Sequence, residues 1–418
     1  MREYDTKDGV MLIGGVPATD IAEEFGTPVY VTDADLVREN YRSIHGAFNR
    51  HLPTRVHYAC KANTNLAVLR LLQKEGSHID AVSIGEVLTC VKARFDPGKI
   101  LYTGTNVTDS EMEALLEAGC RINVDSESQL ERLARITTDV PLSFRVTPGV
   151  ASGHGAKVMT GGKGSKFGIP MDRIVGCYAR ANELGFRVDG LHAHTGSGGN
   201  SIEPFIDVAY VLCDLANEIE DKVGIKLDWI DIGGGFGVPY RPHEPALDLD
   251  ELAIAVTNVV KEESSVGELA IEPGRYVVCD TTVLLARCVD VKDAGPKKYV
   301  GVDAGMNTLM RPSLYDSYHH VALANKMHRA CVAKYDVVGQ ICESGDILAR
   351  DRVLPDPRAG DLLAVYCAGA YSFSMSNEYN SRPRCAEVMV IDGRAELTRA
   401  AEPIEDLWRH QTIPEALG

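Results

Sequence analysis

The sequence predicts an α/β chain, a parallel (β/α)8 TIM barrel followed by a mostly antiparallel β domain. Three observations carry that prediction. Between residues 55 and 272, eight short apolar runs alternate with helical patterns. No G-x-G-x-x-G follows an early strand, which an open doubly wound sheet would want. After residue 275 the helical patterns give way to strand-like runs separated by Gly, Pro and Asp turns.

The first thirty residues read as extended, with VMLIGGV and PVYVTD, and are expected to add strands to the C-terminal domain. The barrel is expected over 31–273 and the β domain over 274–418 together with 1–30. Barrel strands are expected at 55–60, 79–83, 100–103, 121–124, 141–146, 188–194, 227–232 and 268–272. The first, RVHYAC, alternates polar and apolar residues as a half-buried strand does. Helical patterns lie between the strands, for example TDSEMEALLEAG at 108–119, which opens on N-cap residues, and ESQLERLARI at 127–136. The β domain begins with TTVLLARCVDV and ends with AEVMVIDG.

Composition narrows the function. The 418 residues are 45% hydrophobic and 24% charged, an ordinary globular balance. A net charge of −16 disfavours nucleic acid and anionic membrane as partners. No apolar run is long enough to span a bilayer, and the charged start MREYDTKDGV does not read as a secretory signal. Eleven cysteines without a C-x-x-C pair read as reduced thiols of a cytoplasmic protein.

Barrel enzymes build their sites at the C-terminal ends of the strands. Here those ends carry Lys61, Asp80, Arg145, His194 with Thr195-Gly196-Ser197, the GGGFG turn at 233–237, and Glu272 followed by Pro273, Gly274 and Arg275. Each has a plain reading alone: a solvated lysine, a tight turn, a capping acid. His192 and His194 share one side of their strand, but no third ligand of matching type is legible and no metal is expected. Together the rim suits one ligand. A glycine turn leaves backbone N–H groups for a phosphate, and a lysine can condense with an aldehyde. A carboxylate can pair with a protonated pyridine nitrogen, and an imidazole can stack on a ring. Those four features belong to pyridoxal 5′-phosphate. The basic loop KVMTGGKGSK, 157–166, does not fit a nucleotide-binding P-loop, since Gly164 follows Lys163. It reads as a mobile loop near the rim.

Nearly the whole chain resembles the barrel-type pyridoxal-phosphate decarboxylases of amino acids, and within them the members that act on diaminopimelate. The resemblance runs through YACKAN (58–63), SKFGI (165–169), HAHTGSGG (192–199), DIGGGFG (231–237) and EPGR (272–275). Its most specific blocks are DAGMNTLMRPSLYDSYH (303–319), CESGDILARDRVLP (342–355) and AGAYSFSMSNEYNSRPR (368–384). It implies that Lys61 carries the cofactor, His194 stacks on its ring and Glu272 pairs with the ring nitrogen. Ser197, Gly233, Gly234, Gly235 and Arg275 would bind the phosphate or lie beside it, and Asp80, Arg145 and Gly274 would complete the cofactor site. Arg275, Arg311 and Tyr315 would grip the distal carboxylate of the substrate, with Glu343 on its distal ammonium. Tyr371 would touch both phosphate and substrate. Cys342 would deliver the proton to the product. Cys342 and Glu343 would enter from the second subunit of a homodimer. The implied reaction turns meso-2,6-diaminopimelate into L-lysine and CO2, the last step of lysine biosynthesis.

The resemblance is imperfect at Thr147, where many members carry asparagine, in the loop GHGAKVMTGGKGSKFG, and at Glu378. Rival readings are a related decarboxylase of carboxynorspermidine, ornithine or arginine, a racemase sharing the lysine and barrel, and an inactive binding homologue. Arg311, Tyr315 and Glu343 argue against the first. The Cys342 thiol argues against the second, and the presence of Lys61 and Glu272 against the third.

Overall fold

The computed structural model describes residues 1–149, 162, 165–194, 196 and 199–418. Eight parallel strands close into a ring: β1 (Thr54–Ala59), β2 (His78–Ala81), β3 (Ile100–Tyr102), β4 (Arg121–Val124), β5 (Pro141–Thr147), β6 (Arg187–Ala193), β7 (Trp229–Asp231) and β8 (Glu268–Ile271). Each pairs with the next, β4 with β5 and β8 back to β1, so the barrel has no open edge. The eight expected strands are the eight observed, displaced by at most two residues at their ends.

The alternation seen in the sequence has a tertiary meaning. Side chains at i and i+2 share a face of a strand. Val56 and Tyr58 of β1, or Leu142, Phe144 and Val146 of β5, point one way, where Phe144 meets Tyr178 of the following helix at 4.9 Å between ring centroids. The intervening residues point into the barrel, and there the chain is unusually polar: His57, Asp80, Asn123, Ser143, Arg145, His192, Asp231 and Glu272 are all buried. Leu101, Trp229 and Ala270 form a small apolar cluster inside. Gly190 makes room for it, since a Cβ there would lie 2.1 Å from the Trp229 indole. Asp189 then accepts the indole N–H at 3.1 Å and Arg121 at 2.6 Å.

Helix ends follow the local chemistry. Thr108 caps Asp109–Ala118 by accepting from the Glu111 amide, and Gly119 ends it in the left-handed region. Ser83, Ser126 and Asp248 cap other barrel helices in the same way.

The chain divides into two compact units. One is Val37–Val238 with Pro245–Val277, which holds the barrel. The other is Met1–Leu36, Pro239–Glu244 and Val278–Gly418. The second unit is a largely antiparallel sheet in the order 347–354, 333–338, 298–302, 282–293, 29–33, 386–391, 394–399, with 362–365 and 321–323 branching from 282–293. Two pairings in it are parallel, 298–302 with 333–338 and 386–391 with 29–33. The N-terminal strand Val29–Asp33 therefore sits in the middle of this sheet. Its core gathers Tyr30, Leu284, Val300, Val337, Leu348 and Leu363. Among the described residues, no helix is long and apolar enough to cross a membrane.

Candidate active site

The barrel strands deliver their polar residues to one end. β1 ends in a 3-10 turn, Cys60–Ala62, that carries Lys61 out of the strand. Asn63 and Asn65 then start the next helix, with the Asn65 side chain accepting from Ala67 N–H. Lys61 Nζ donates to Asp80 Oδ2 at 2.6 Å, and Thr103 Oγ1 donates to the other Asp80 oxygen. Gly274 packs against this turn, where a Cβ would lie 3.1 Å from Ala59 Cβ and 3.2 Å from Ala62 Cβ. A side chain at 274 would therefore press on the segment that positions Lys61.

The candidates for the cofactor ring follow β6 and β8, the latter paired directly with β1. His194 follows β6, and its Nδ1 accepts the Gly234 amide at 2.9 Å. Burial pushes the His194 imidazole down to about 3, so it is neutral at physiological pH, with its proton on Nε2. Glu272 follows β8 and is held by its own amide, which donates to Gly233 O at 2.9 Å. Burial alone would raise its carboxyl. The neighbouring His192, then Lys61 and His194, more than offset that and hold it well below the usual carboxylate range. Asp231, by contrast, is pushed up by burial and by the charge of Glu272.

The glycine turn departs from expectation in one respect. The Gly233 amide is taken by Asp231 Oδ1 at 2.7 Å and the Gly234 amide by His194, so neither is left open for an anion. Asp231 two residues upstream folds back on the turn, a short-range contact that a glycine count does not reveal. The glycines are required for close approach. A Cβ at Gly233 would lie 2.4 Å from His194 Nδ1, at Gly234 2.1 Å from Glu272 O, and at Gly235 2.4 Å from Gly196 O. Gly233 and Gly235 also take positive φ, +76° and +106°.

Arg275 opens a short helix directly after Gly274 and is buried, as is Arg145, whose guanidinium lies 4.7 Å from the Phe167 ring. Thr147 donates to Phe167 O at 2.5 Å, so the residue that departs from the family pattern ties β5 to the SKFGI segment. Ser197 and most of the 157–166 loop lie outside the described residues.

The second unit gathers the other candidates around two anchors. Arg311 begins the short helix Arg311–Tyr315 and is buried among rings: Tyr240, Tyr315 and Tyr371 lie 6.0, 5.7 and 6.0 Å from its guanidinium carbon. Tyr371 itself sits at φ +57°, a strained position for a tyrosine. Cys342 and Glu343 lie exposed on a loop. Asp346 closes that loop by accepting from Ile341 N–H at 2.7 Å and Met306 N–H at 2.6 Å. Asn380 takes the Cys342 amide at 2.8 Å, and the Tyr379 hydroxyl donates to Glu343 at 2.8 Å. Ser313 reaches Gly345 O at 2.8 Å, which joins the Arg311 helix to the Cys342 loop. Glu378 pairs with Arg384 at 2.8 Å.

Some participants escaped the sequence reading. Asn123 and Ser143 are buried polar residues inside strands, and the break they make in the apolar runs RINV and PLSFRV was the available signal. Tyr379 and Asn380 stood in a motif block without an assigned role.

The barrel residues fit pyridoxal phosphate on two structural grounds. Glu272 Oε1 is buried with no hydrogen-bond partner among the described residues, and such an oxygen is costly unless a ligand donor meets it. The neutral imidazole of His194 presents a flat ring beside it. His192, Asp231 and Glu272 also bring possible metal-ligand atoms within 4.8 Å of one another. The Asp231 oxygens, however, are engaged by Gly233 N–H and, at 3.4 Å, by His57.

Comparison with known proteins points to the same cofactor. Residues 34–279 match the family model for the pyridoxal-binding domain of pyridoxal-dependent decarboxylases. The chain is 48% identical to diaminopimelate decarboxylase of Methanothermobacter thermautotrophicus, over 98% of this chain and 97% of that protein. It is 38% identical to the enzyme of the same name from Pseudomonas aeruginosa, over 99% of each. The solved structure of diaminopimelate decarboxylase from M. jannaschii in co-complex with L-lysine superposes with a TM-score of 0.93 at 33% identity, covering 99% of both chains. The chain belongs to the diaminopimelate decarboxylase family of pyridoxal-dependent decarboxylases.

Proposed function

We propose that the protein decarboxylates meso-2,6-diaminopimelate to L-lysine and CO2, with pyridoxal 5′-phosphate as cofactor. The observation that carries this reading is likeness over the full length to enzymes of that name, both units included. Pyridoxal phosphate supplies the sink for the electron pair left at Cα when CO2 departs. The chain's residues do the rest. Lys61 holds the cofactor covalently, and Asp80 beside it anchors the amine. Glu272 offers Oε1 to the ring nitrogen, and its depressed proton affinity keeps it anionic there. His194, neutral and fixed by the Gly234 amide, packs on the ring. Arg145, Gly235, Gly274 and Arg275, with Ser197, surround the phosphate.

Substrate selection falls to charge. Arg311 is buried among aromatic rings and paid for in desolvation, so an anionic ligand group is its natural partner. A distal carboxylate satisfies Arg311, Tyr315 and Arg275, while Glu343 takes the distal ammonium. Tyr371 closes on both. Ornithine or lysine lacks the carboxylate. Cys342, exposed on its loop, returns the proton at Cα. The test is product analysis. With meso-diaminopimelate the protein should release L-lysine and CO2, and comparable turnover of ornithine, arginine or carboxynorspermidine would overturn the substrate assignment.

The active site is read as shared within a homodimer, with Cys342 and Glu343 supplied across a two-fold axis. Lys61→Ala and Cys342→Ala homodimers should each be inactive. Mixed under proven subunit exchange, they should recover about a quarter of native activity, because about half the dimers are hybrids with one intact site. Recovery of none would end the shared-site reading. Eleven free cysteines support a reducing, cytoplasmic setting.

A further inference from the structure

Four buried polar side chains inside the barrel form a line that ends at Glu272. Ser143 Oγ on β5 donates to Asn123 Oδ1 on β4 at 2.8 Å. The Asn123 amide meets His192 Nδ1 on β6 at 3.1 Å. His192 Nε2 lies 3.4 Å from Glu272 Oε2, an ion-pair distance without hydrogen-bond geometry, and Nε2 has no other hydrogen-bond partner among the described residues. At the far end Glu272 Oε1 has no partner among the described residues. Asn123, Ser143 and His192 are at most 1% exposed and Glu272 4%, so the line is closed to bulk solvent.

The line has a direction. Ser143, as donor, fixes the Asn123 oxygen toward itself and turns the amide N–H toward His192 Nδ1. Nδ1 then accepts, and the ring proton stays on Nε2, facing Glu272. Rotating the Asn123 amide by 180° presents its oxygen to Nδ1 and serves the doubly protonated ring, with Ser143 accepting instead. In both arrangements Nε2–H faces Glu272 Oε2. The carboxylate thereby has His192 beside one oxygen and no partner among the described residues on the other.

We propose that His192, oriented by Asn123 and Ser143, is the positioning residue of Glu272: it holds one carboxylate oxygen and so aims Oε1 at the pyridine nitrogen of the cofactor. This rests on the cofactor reading above. His192 acts through Glu272 and is assigned no contact of its own with cofactor or substrate. A purely structural role, buried polar groups satisfying one another, would leave the electronic state of the bound cofactor unchanged when the line is cut.

The test uses the full-length protein loaded with pyridoxal phosphate carrying 15N in the ring. The native protein should show the nitrogen resonance of a protonated pyridine. His192→Leu should move it toward the unprotonated position, weaken cofactor binding by about tenfold, and lower kcat by about tenfold with KM within about twofold. His192→Gln, which keeps an N–H for Glu272, should restore most of the signal. Asn123→Ala leaves the ring in place but unoriented and should shift the resonance in the same direction by less; it carries the test if His192→Leu does not fold. A native 15N resonance and native cofactor affinity in the folded His192→Leu or Asn123→Ala protein overturn the proposal. So does an equal loss in His192→Leu and His192→Gln that tracks melting temperature alone. Failure of the native protein to take up the cofactor on Lys61 would instead defeat the underlying reading.

Discussion

The barrel and the β unit hold their functional groups in opposite ways. In the barrel, Asp80, His192, Asp231 and Glu272 are buried on strands or at strand ends, and each meets another polar side chain. Burial and neighbouring charges together set the proton affinities of His192, Asp231 and Glu272. In the β unit, Cys342 and Glu343 stand exposed on a loop secured at its base by buried Asp346 and along its length by Tyr379 and Asn380. Arg311 is the exception, buried yet on a five-residue helix. The difference separates two tasks. A cofactor needs a fixed electrostatic frame, and rigid strands supply it. A thiol proposed to meet incoming substrate is better served by an accessible loop.

Lys61→Ala should break the barrel side most completely. Activity should fall on the order of 10³-fold or more, because no other residue replaces a covalent anchor. Borohydride treatment should no longer fix cofactor to the peptide containing position 61, and labelling of another lysine in the native protein would refute the assignment.

Arg311→Ala tests the buried member of the β unit. Removing it should cost kcat/KM about 3 kcal/mol, since the substrate carboxylate is left without its charged partner. Arg311→Lys should recover little if the fork geometry matters. A fall in kcat/KM below fivefold in steady-state assays would show that the carboxylate is read elsewhere.

Stability should sharpen the contrast. Gly234→Ala places a Cβ 2.1 Å from the Glu272 carbonyl oxygen, and backbone must move. A loss of about 2–3 kcal/mol is expected. Cys342→Ala changes an exposed position, and chemical denaturation should find it within about 0.5 kcal/mol of native although its activity drops. Equal destabilisation by the two would erase the distinction between frame and loop.

The remaining test is a pH dependence, small near neutrality. Burial, and for His78 also the neighbouring His57, depresses the His78 and His194 imidazoles to about 3 each. Below about pH 6.5 the unfolded chain binds protons at these sites that the folded chain refuses, so stability falls as pH drops from about 6.5 toward 3. Thermal melts of His78→Gln should show a shallower acid slope than the native protein. An unchanged slope would mean that His78 is protonated in the folded state.

Periodicity alone placed the barrel. The run RVHYAC alternates because one face of β1 packs on helices and the other fills the barrel, and a two-residue period survives in any sequence reading. The strand-end positions of Lys61, His194 and Glu272 were legible for the same reason, since chain order fixes which residue follows a strand. The roles proposed for Arg311, Cys342 and Tyr371 rest on the motif blocks. What the linear sequence did not hold was pairing across the barrel. Lys61 and Asp80 are nineteen positions apart and meet because β1 pairs with β2, and Asn123 and His192, sixty-nine apart, meet because β4 and β6 both flank β5. Likewise the glycines of 233–235 looked like an open anion turn, whereas packing against His194, Glu272 and Gly196 turned two of their amides inward. Local pattern determines which face a residue takes. Which oxygen of Glu272 is held and which is left for a ligand depends on contacts between strands far apart in the chain, and only closure of the barrel decides it.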